Sequence, residues 1–494
     1  MLRRAPRLGS HLRSVAVFAA LAACGGGEMS AGASSPAAAT PSAEPPLANG
    51  LYVSPDGRDS NPGTPSLPLR SIEAGVARLR PGLVLVLLDG TWKLGGPLVI
   101  RQQGTPDAWV EIRGAKGTTP TLDASGVDIP WASAYPWVQG AVQIEGSAYV
   151  RLRNVHVKGS HLAGFNVASS RNVEIVNCSS RGSFASGISA WQGTEELRVL
   201  GNTVTGANDM ALSFRPFTGS EAPHEAISIA GTKGFEVAWN EVAANRKEGI
   251  DVKETSAHGV VHHNHCWNND RQGLYVDGWF GVLEDVELRE NAVHGNETGI
   301  SISTEDGPVT RDVRVHHNVV FENRGPGLYF SRWGKDNPRE EIAVFDNTFY
   351  RNGWGRSAAG DPSYWLSGGV YIHSTNLRGV SLRDNVLSLD KPFEIGYSQD
   401  WGAGGPARGV SIEGNLVHDT NTTAFPFHMA TWAKDYVLST VGSGAVLADP
   451  QFVDAAGQDF RPRPGSPAVG KGALDPGSPA TPWWKSGFPP EIQP

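Results

Sequence analysis

Gly249-Ile-Asp-Val-Lys-Glu254 is followed by Gly273-Leu-Tyr-Val-Asp-Gly278 and then by Gly299-Ile-Ser-Ile-Ser303. Each stretch alternates an apolar residue with one of another kind, the period-two signature of a strand with one face in a core. The same unit recurs as Gly164-Phe-Asn-Val, Gly187-Ile-Ser-Ala, Ala226-Ile-Ser-Ile, Gly327-Leu-Tyr-Phe and Gly369-Val-Tyr-Ile. Most copies lie 23 to 28 residues apart, but 39 separate Gly187 from Ala226 and 42 separate Gly327 from Gly369. A coil cannot stretch that far, so inserted loops are expected near residues 207–224 and 351–366.

A second element precedes most of these strands by about nine residues, as in Phe235-Glu-Val-Ala-Trp-Asn240 and Val313-Arg-Val-His-His-Asn318. It puts Asn202, Asn240, Asn264, Asn291, Asn318, Asn347, Asn385 and Asn415 in one column, with Cys178 and Val155 there in earlier coils. Stacked Asn side chains at a tight turn can satisfy backbone groups of the next coil and tolerate left-handed geometry. A fixed phase between Asn column and strand is the mark of a solenoid. The fold class expected is all-β, a single right-handed parallel β-helix. Ser71–Leu79 is a short amphipathic helix suited to capping its open first coil.

The boundaries follow from composition. Arg3, Arg4, Arg7 and Arg13 precede an apolar run that ends in Leu21-Ala22-Ala23-Cys24. That run is too short for the ~20 residues of a membrane span, and its end resembles a bacterial lipobox. Residues 1–24 are therefore expected to be a lipoprotein signal peptide with Cys24 the lipidation site. Residues 25–48, rich in Gly, Ala, Ser and Pro, read as a flexible tether. A cap with first coils follows over 49–130, the β-helix over 131–450 and a closing segment over 451–494. The implied location is the bacterial cell envelope, facing outward, with the lipid as sole membrane contact and the protein a monomer. Net charge is −8, with no basic block beyond the N-terminus, which argues against nucleic acid. Cys178 and Cys266 fall about three coils apart, roughly 14 Å at one strand spacing per coil, beyond disulfide reach.

Chemistry concentrates in two coils. Counting each Gly as zero, position +2 carries Asn166, Ser189, Ser228, Asp251, Tyr275, Ser301, Tyr329 and Tyr371. Position +4 carries Ala168, Trp191, Ala230, Lys253, Asp277, Ser303, Ser331 and His373. Both positions are expected to face solvent along a groove. Small residues give way to charge and aromatics at Asp251, Lys253, Tyr275 and Asp277, with Glu225, Glu248, Arg271, Trp279, Glu305, Arg332 and Trp333 nearby. Polar pairs across a wet sheet are common, but acids, a lysine and aromatics converge only here.

A Gly-hydrophobe-x-hydrophobe-Lys strand in such a solenoid resembles the parallel β-helix polysaccharide lyases of the pectate and alginate type. The ends agree: Leu51-Tyr-Val-Ser-Pro-Asp-Gly resembles the entry segment of secreted β-helix proteins, and Asp449-Pro-Gln-Phe with Pro464-Gly-Ser-Pro resembles their closing segment. The resemblance implies that Lys253 abstracts the C5 proton of a uronic acid, with Asp251, Asp277, Tyr275 and Arg271 in the catalytic set. Glu225, Glu248, Asp251 and Asp277 become candidate Ca²⁺ ligands. Trp279, Glu305, Tyr329, Arg332, Trp333 and His373 become candidate substrate contacts for a polysaccharide. The match departs from the better-known pectate lyases, whose Asp pairs near the metal are denser. Neighbouring carboxylates raise a lysine pKa, so a Lys253 base calls for a cation or an Arg beside it. Two other classes fit the residues: a glycoside hydrolase using Asp251 and Asp277, or a non-catalytic carbohydrate-binding surface. His262, His263, His265, His316 and His317 are set aside as polar positions beside the Asn column, too far apart in their columns for one metal ion.

Overall fold

The computed structural model describes residues 46–128, 139–191, 193–213, 216–217, 219–354, 367–419, 425–427, 435–487 and 489. Cys24, the signal peptide and most of the tether lie outside the described residues, as do 355–366 of the second inserted loop. The described residues form one compact unit. Among the described residues no helix is long and apolar enough to cross a membrane.

Among the described residues the chain winds through three sheets of 14, 13 and 13 strands, parallel except for two strands at the end of one. One coil shows the pattern. Lys233–Ala238 lies in the first sheet, Asn240 turns the chain, and Glu241–Ala243 joins the second. A further turn at Asn245 leads to Ile250–Glu254 in the third sheet, and Ala257–His262 opens the next coil. The strand register matches the sequence columns: Ile250 pairs with Leu274 and Leu274 with Ile300, while Asp251 pairs with Tyr275 and Lys253 with Asp277. Inward residues such as Val237, Val242, Ile250, Cys266, Leu274, Val293 and Ile300 are at most 1% exposed and form one continuous core. Cys178 and Cys266 are free and buried, and burial pushes the Cys178 thiol up to about 12.

The eight Asn residues form an unbroken ladder. Each amide Nδ2 donates to Oδ1 of the next, from Asn202 to Asn240 at 2.9 Å through to Asn385 and Asn415 at 2.9 Å. The backbone N–H of Cys178 donates to Asn202 Oδ1, which starts the column. The left-handed geometry, however, falls on the residue before each Asn, at Trp239, His263, Glu290, His317, Asp346 and Asp384. The Asn side chain holds the neighbouring coil while its predecessor makes the bend. A second ladder was not expected: Asn245, Asn269, Asn296, Asn323 and Asn352 pass the same bond along the next turn and end on Asp390.

The ends are closed differently. The helix Ile72–Val76, capped by Ser71 Oγ, packs Ile72 and Val76 into the first coils. At the other end the antiparallel strands Asp435–Ser439 and Phe425–Phe427 extend the third sheet. The C-terminal segment runs back along the second sheet, setting Phe460 and Trp484 against Ala292, Val319 and Phe321. Lys471 Nζ there meets Asp384 at 2.7 Å and Trp483 lies against Trp239.

Candidate active site

The columns of the third sheet place the expected residues together, but not on an open face. Asp251 and Ser301 are 0% exposed, Asp277 3% and Tyr275 5%. The reason is local: side chains pointing away from the core are overlaid by the segments that leave and re-enter the coils. Glu221 of the first inserted loop pairs with Arg271. Trp279 Nε1 donates to Asp277 Oδ2 at 2.5 Å, and Tyr275 OH donates to Glu305 Oε1 at 2.5 Å. Trp333 stands edge-on to both Tyr275 and Tyr329, 5.9 and 5.4 Å between centroids.

Lys253 is the hub. Its Nζ lies 3.2 Å from Glu225 Oε1 and 3.6 Å from Asp251 Oδ2. Lys247 Nζ approaches the same Glu225 oxygen at 3.5 Å and Glu248 Oε2 at 3.7 Å. Arg271 Nη1 reaches Glu248 Oε1 at 3.2 Å, and Ser228 Oγ donates to Glu225 Oε2 at 2.9 Å. The partner of Lys253 is thus Glu225, two coils from Asp277 in the register, rather than Asp277 itself. Both lysine side chains are 13% exposed, and the accessible edge of the cluster is at Arg271 (36%) and Glu221 (49%).

Burial dominates the electrostatics. It pushes Asp251 and Asp277 well above the usual carboxylate range, with Glu225 adding to Asp251 and Glu305 adding to Asp277. Glu305 is raised for the same reason, and burial lifts Glu254 to about 7. Glu225 goes the other way: burial would raise it, but Lys253, Lys247 and His224 outweigh that and keep it ionised. Burial would lower Lys253, yet Glu225, Asp251, Asp277 and Glu254 together hold it well above an ordinary lysine. Neither oxygen of Asp251 accepts a hydrogen bond, nor does Asp277 Oδ1.

Calcium is a poor fit to this arrangement. Carboxylate oxygens are its natural donors, but among the described residues no three acids or histidines converge in a way that could hold an ion. Glu225, Glu248, Asp251 and Asp277 are instead interleaved with ammonium groups. The expected substrate contacts also divide. Tyr329 is 0% exposed, its hydroxyl bonded to His373 Nδ1 at 2.7 Å and its ring stacked on the equally buried Tyr371. It belongs to an aromatic core with Phe393 and Val437 and does not offer a face to a sugar. Arg332 is tied to Asp336 and Asp400. Trp279, Trp333, Glu305 and His373 are half-buried, and Phe280 beside Trp279 is 66% exposed. Sequence reading gave no role to three participants, Lys247, Glu221 and Arg339. Lys247 and Glu221 sit in turn and loop, where no strand column marks them. Arg339, 0% exposed, pins the loop over the sheet through Ile302 O, Ser331 O, Asn337 O and Asp336. The histidines pair among themselves, His262 Nδ1 with His263 Nδ1 and His265 Nε2 with His294 Nε2, each at 2.9 Å.

Comparison with known proteins gives a consistent picture. Residues 51–362 match the family model described as the Pel9A-like right-handed β-helix region. The uncharacterised protein YwoF of Bacillus subtilis (strain 168) is 23% identical over 476 residues, 85% of this chain and 92% of that one. Pectate lyase L of Dickeya dadantii (strain 3937) is 22% identical over 320 residues, 61% of this chain and 65% of that protein. Among solved structures, a PL6-family alginate lyase, AlyGC, superposes with a TM-score of 0.50 at 10% identity, over 90% of this chain and 59% of that one. Pectate lyase Pel9A gives 0.43 at 15% identity, over 61% of this chain and 75% of that one.

Proposed function

The chain belongs to the Pel9A-like right-handed β-helix family, and from that membership and its buried lysine–carboxylate cluster we propose that it is a polysaccharide lyase. It acts on a uronic-acid polymer of the pectate or alginate kind. The observation that carries the reading is Lys253, bedded between Glu225 and Asp251 on the outward side of the third sheet. Lys253 is the buried lysine of this cluster that lies within a strand of the third sheet, whereas Lys247 precedes the strand. The lipid anchor at Cys24 belongs to the same proposal, since an envelope enzyme meets its polymer outside the cell.

In β-elimination a base removes the C5 proton, negative charge spreads into the uronate carboxylate, and the C4–O bond breaks as the departing oxygen takes a proton. Lys253 serves as base once it has given up its own proton. Its acidic neighbours hold that proton tightly, so the rate should climb with pH through and beyond neutrality. Asp277, whose carboxyl is pushed upward by burial and by Glu305, is the acid of the adjacent coil that would supply the proton the departing oxygen needs. Arg271, at the accessible edge, is the cation that a polymer carboxylate meets first. A hydrolase is less well served here. Its paired acids need one ionised member, and Asp251 and Asp277 are both pushed upward.

The test is a screen of wild type and Lys253→Ala on pectate, alginate and glycosaminoglycans, read by the ultraviolet absorbance of unsaturated product. The expected result is unsaturated product from wild type and a loss of about 100-fold or more in the variant. New reducing ends without unsaturated product would make it a hydrolase. Full activity in Lys253→Ala would remove the lysine from the mechanism.

A further inference from the structure

Three acids at the candidate site are met by three cations of the chain itself. Glu225 Oε1 receives Lys253 at 3.2 Å and Lys247 at 3.5 Å. Glu248 receives Lys247 at 3.7 Å on one oxygen and Arg271 at 3.2 Å on the other. Glu221 closes the row against Arg271. Lys247 is the link, since it alone bridges Glu225 to Glu248. Both of those acids are 5% exposed, and each is in contact with two cations.

We infer that Lys247 fills the place a divalent cation would take between Glu225 and Glu248, so that this chain holds its site together without calcium. The inference rests on the lyase reading for what the site does, but its electrostatics stand without it. Ca²⁺ bonds its oxygens at about 2.3–2.6 Å. An ion bound to Glu225 Oε1 would therefore lie against two ammonium groups that already contact that oxygen. Like charges at such separations inside a protein repel strongly, which the remaining oxygens of Glu248 and Asp251 do not offset while Lys247 stays in place. Lys247 is thus a positioning residue: it fixes Glu225, and Glu225 fixes Lys253.

The experiment is thermal unfolding of the full chain, with chelator and with calcium at about 1 mM, the range of extracellular calcium modules. The wild type should give the same Tm in both. Lys247→Gln should unfold lower in chelator and recover about 3 °C with calcium, because Glu225 and Glu248 each lose one of their two cations and the charge that bridges them. Lys247→Arg should restore the indifference of the wild type. A calcium-dependent rise in wild-type Tm would overturn the inference, and so would a Lys247→Gln variant equally indifferent to calcium. Should Lys247→Gln not fold, titration calorimetry of the wild type decides: a one-to-one calcium isotherm refutes the inference and its absence supports it. None of these readouts requires turnover, so a failure of the lyase reading in the polymer screen leaves this result standing.

Discussion

Two outer faces of the solenoid carry charge in register, and they behave oppositely. On the first sheet Glu111, Arg151, Glu174, Arg198 and Glu236 succeed one another in paired positions, sign alternating coil by coil. Their contacts run from 2.5 to 3.8 Å, and Arg198 is 48% exposed. On the third sheet Ala230, Lys253, Asp277 and Ser303 form one column and Ser228, Asp251, Tyr275 and Ser301 the next. There the acids outnumber their partners and Asp251 is 0% exposed. The same stacking geometry makes a partly exposed ladder of small net value on one face and a desolvated cluster on the other. What differs is the covering. Loop and turn residues such as Glu221 and Trp279 lie over the cluster on the third sheet, while Arg198 on the first stays exposed, and the proposed chemistry rests on the covered face.

The largest expected contrast is between lysine and arginine truncations. Lys253→Ala should abolish polymer cleavage and also cost about 3 kcal/mol of stability, because Glu225 loses its nearest cation in a buried site. Arg198→Ala on the open face should leave cleavage unchanged and cost less than about 1 kcal/mol, as exposed pairs do. Denaturant midpoints alongside product assays would show whether the two faces separate in this way. Equal stability losses would mean that covering does not govern their energetics.

A second contrast is one of sign. Burial holds Asp277 above its unfolded value, so the stability it contributes is present below about pH 4 and lost as pH rises. Glu236 is held down to about 2, first by His262 and then, against burial, by Arg198. Its contribution is present above about pH 4 and lost as pH falls toward 2. Asp277→Asn should therefore stabilise the protein by about 2 kcal/mol at pH 8, a gain that fades by pH 4. Glu236→Gln should destabilise it by about 1 kcal/mol at pH 7, discounted for its partial exposure, a loss that fades by pH 3. Tm profiles across pH that slope the same way for both variants would break the comparison.

The repeat was legible because period-two alternation and a constant Asn phase are written in consecutive residues. The same arithmetic put Lys253 over Asp277 and Asp251 over Tyr275, which the register reproduces. The covering was not legible. Position +2 looks outward in any solenoid strand, and nothing at Tyr329 or Tyr371 says that Phe393, Val437 and Trp333 will close over them from distant parts of the chain. The link from Lys247 to Glu225 was missed for a related reason: it joins a turn residue to one just before a strand, 22 positions away, outside any column. The second Asn ladder could have been found, since Asn245, Asn269 and Asn323 each precede a repeat Gly by four residues.

That second ladder ends in a third kind of charged site, which sharpens the contrast further. Asp390 takes the place of the next Asn, accepting from Asn352 Nδ2 at 2.9 Å, and its own N–H donates to Glu394 Oε1 at 3.2 Å. Both acids are nearly inaccessible, 1% and 2% exposed. Among the described residues the lysine beside them is Lys391, which is 32% exposed and paired with Asp419. Burial lifts Asp390 to about 7 and, with Asp390 adding to it, holds Glu394 well above the usual range. The stability tied to Asp390 is present below about pH 4 and drains away as pH rises toward 7. Asp390→Asn keeps the acceptor that Asn352 uses and gives Glu394 an amide donor. It should raise stability at pH 8 by about 1–2 kcal/mol and flatten the fall in Tm between pH 5 and 8. An unchanged slope would mean that the pair is already ionised in the folded protein. The upward displacement of Asp251 and Asp277 in the third sheet would then rest on the neighbouring carboxylates Glu225 and Glu305 more than on burial.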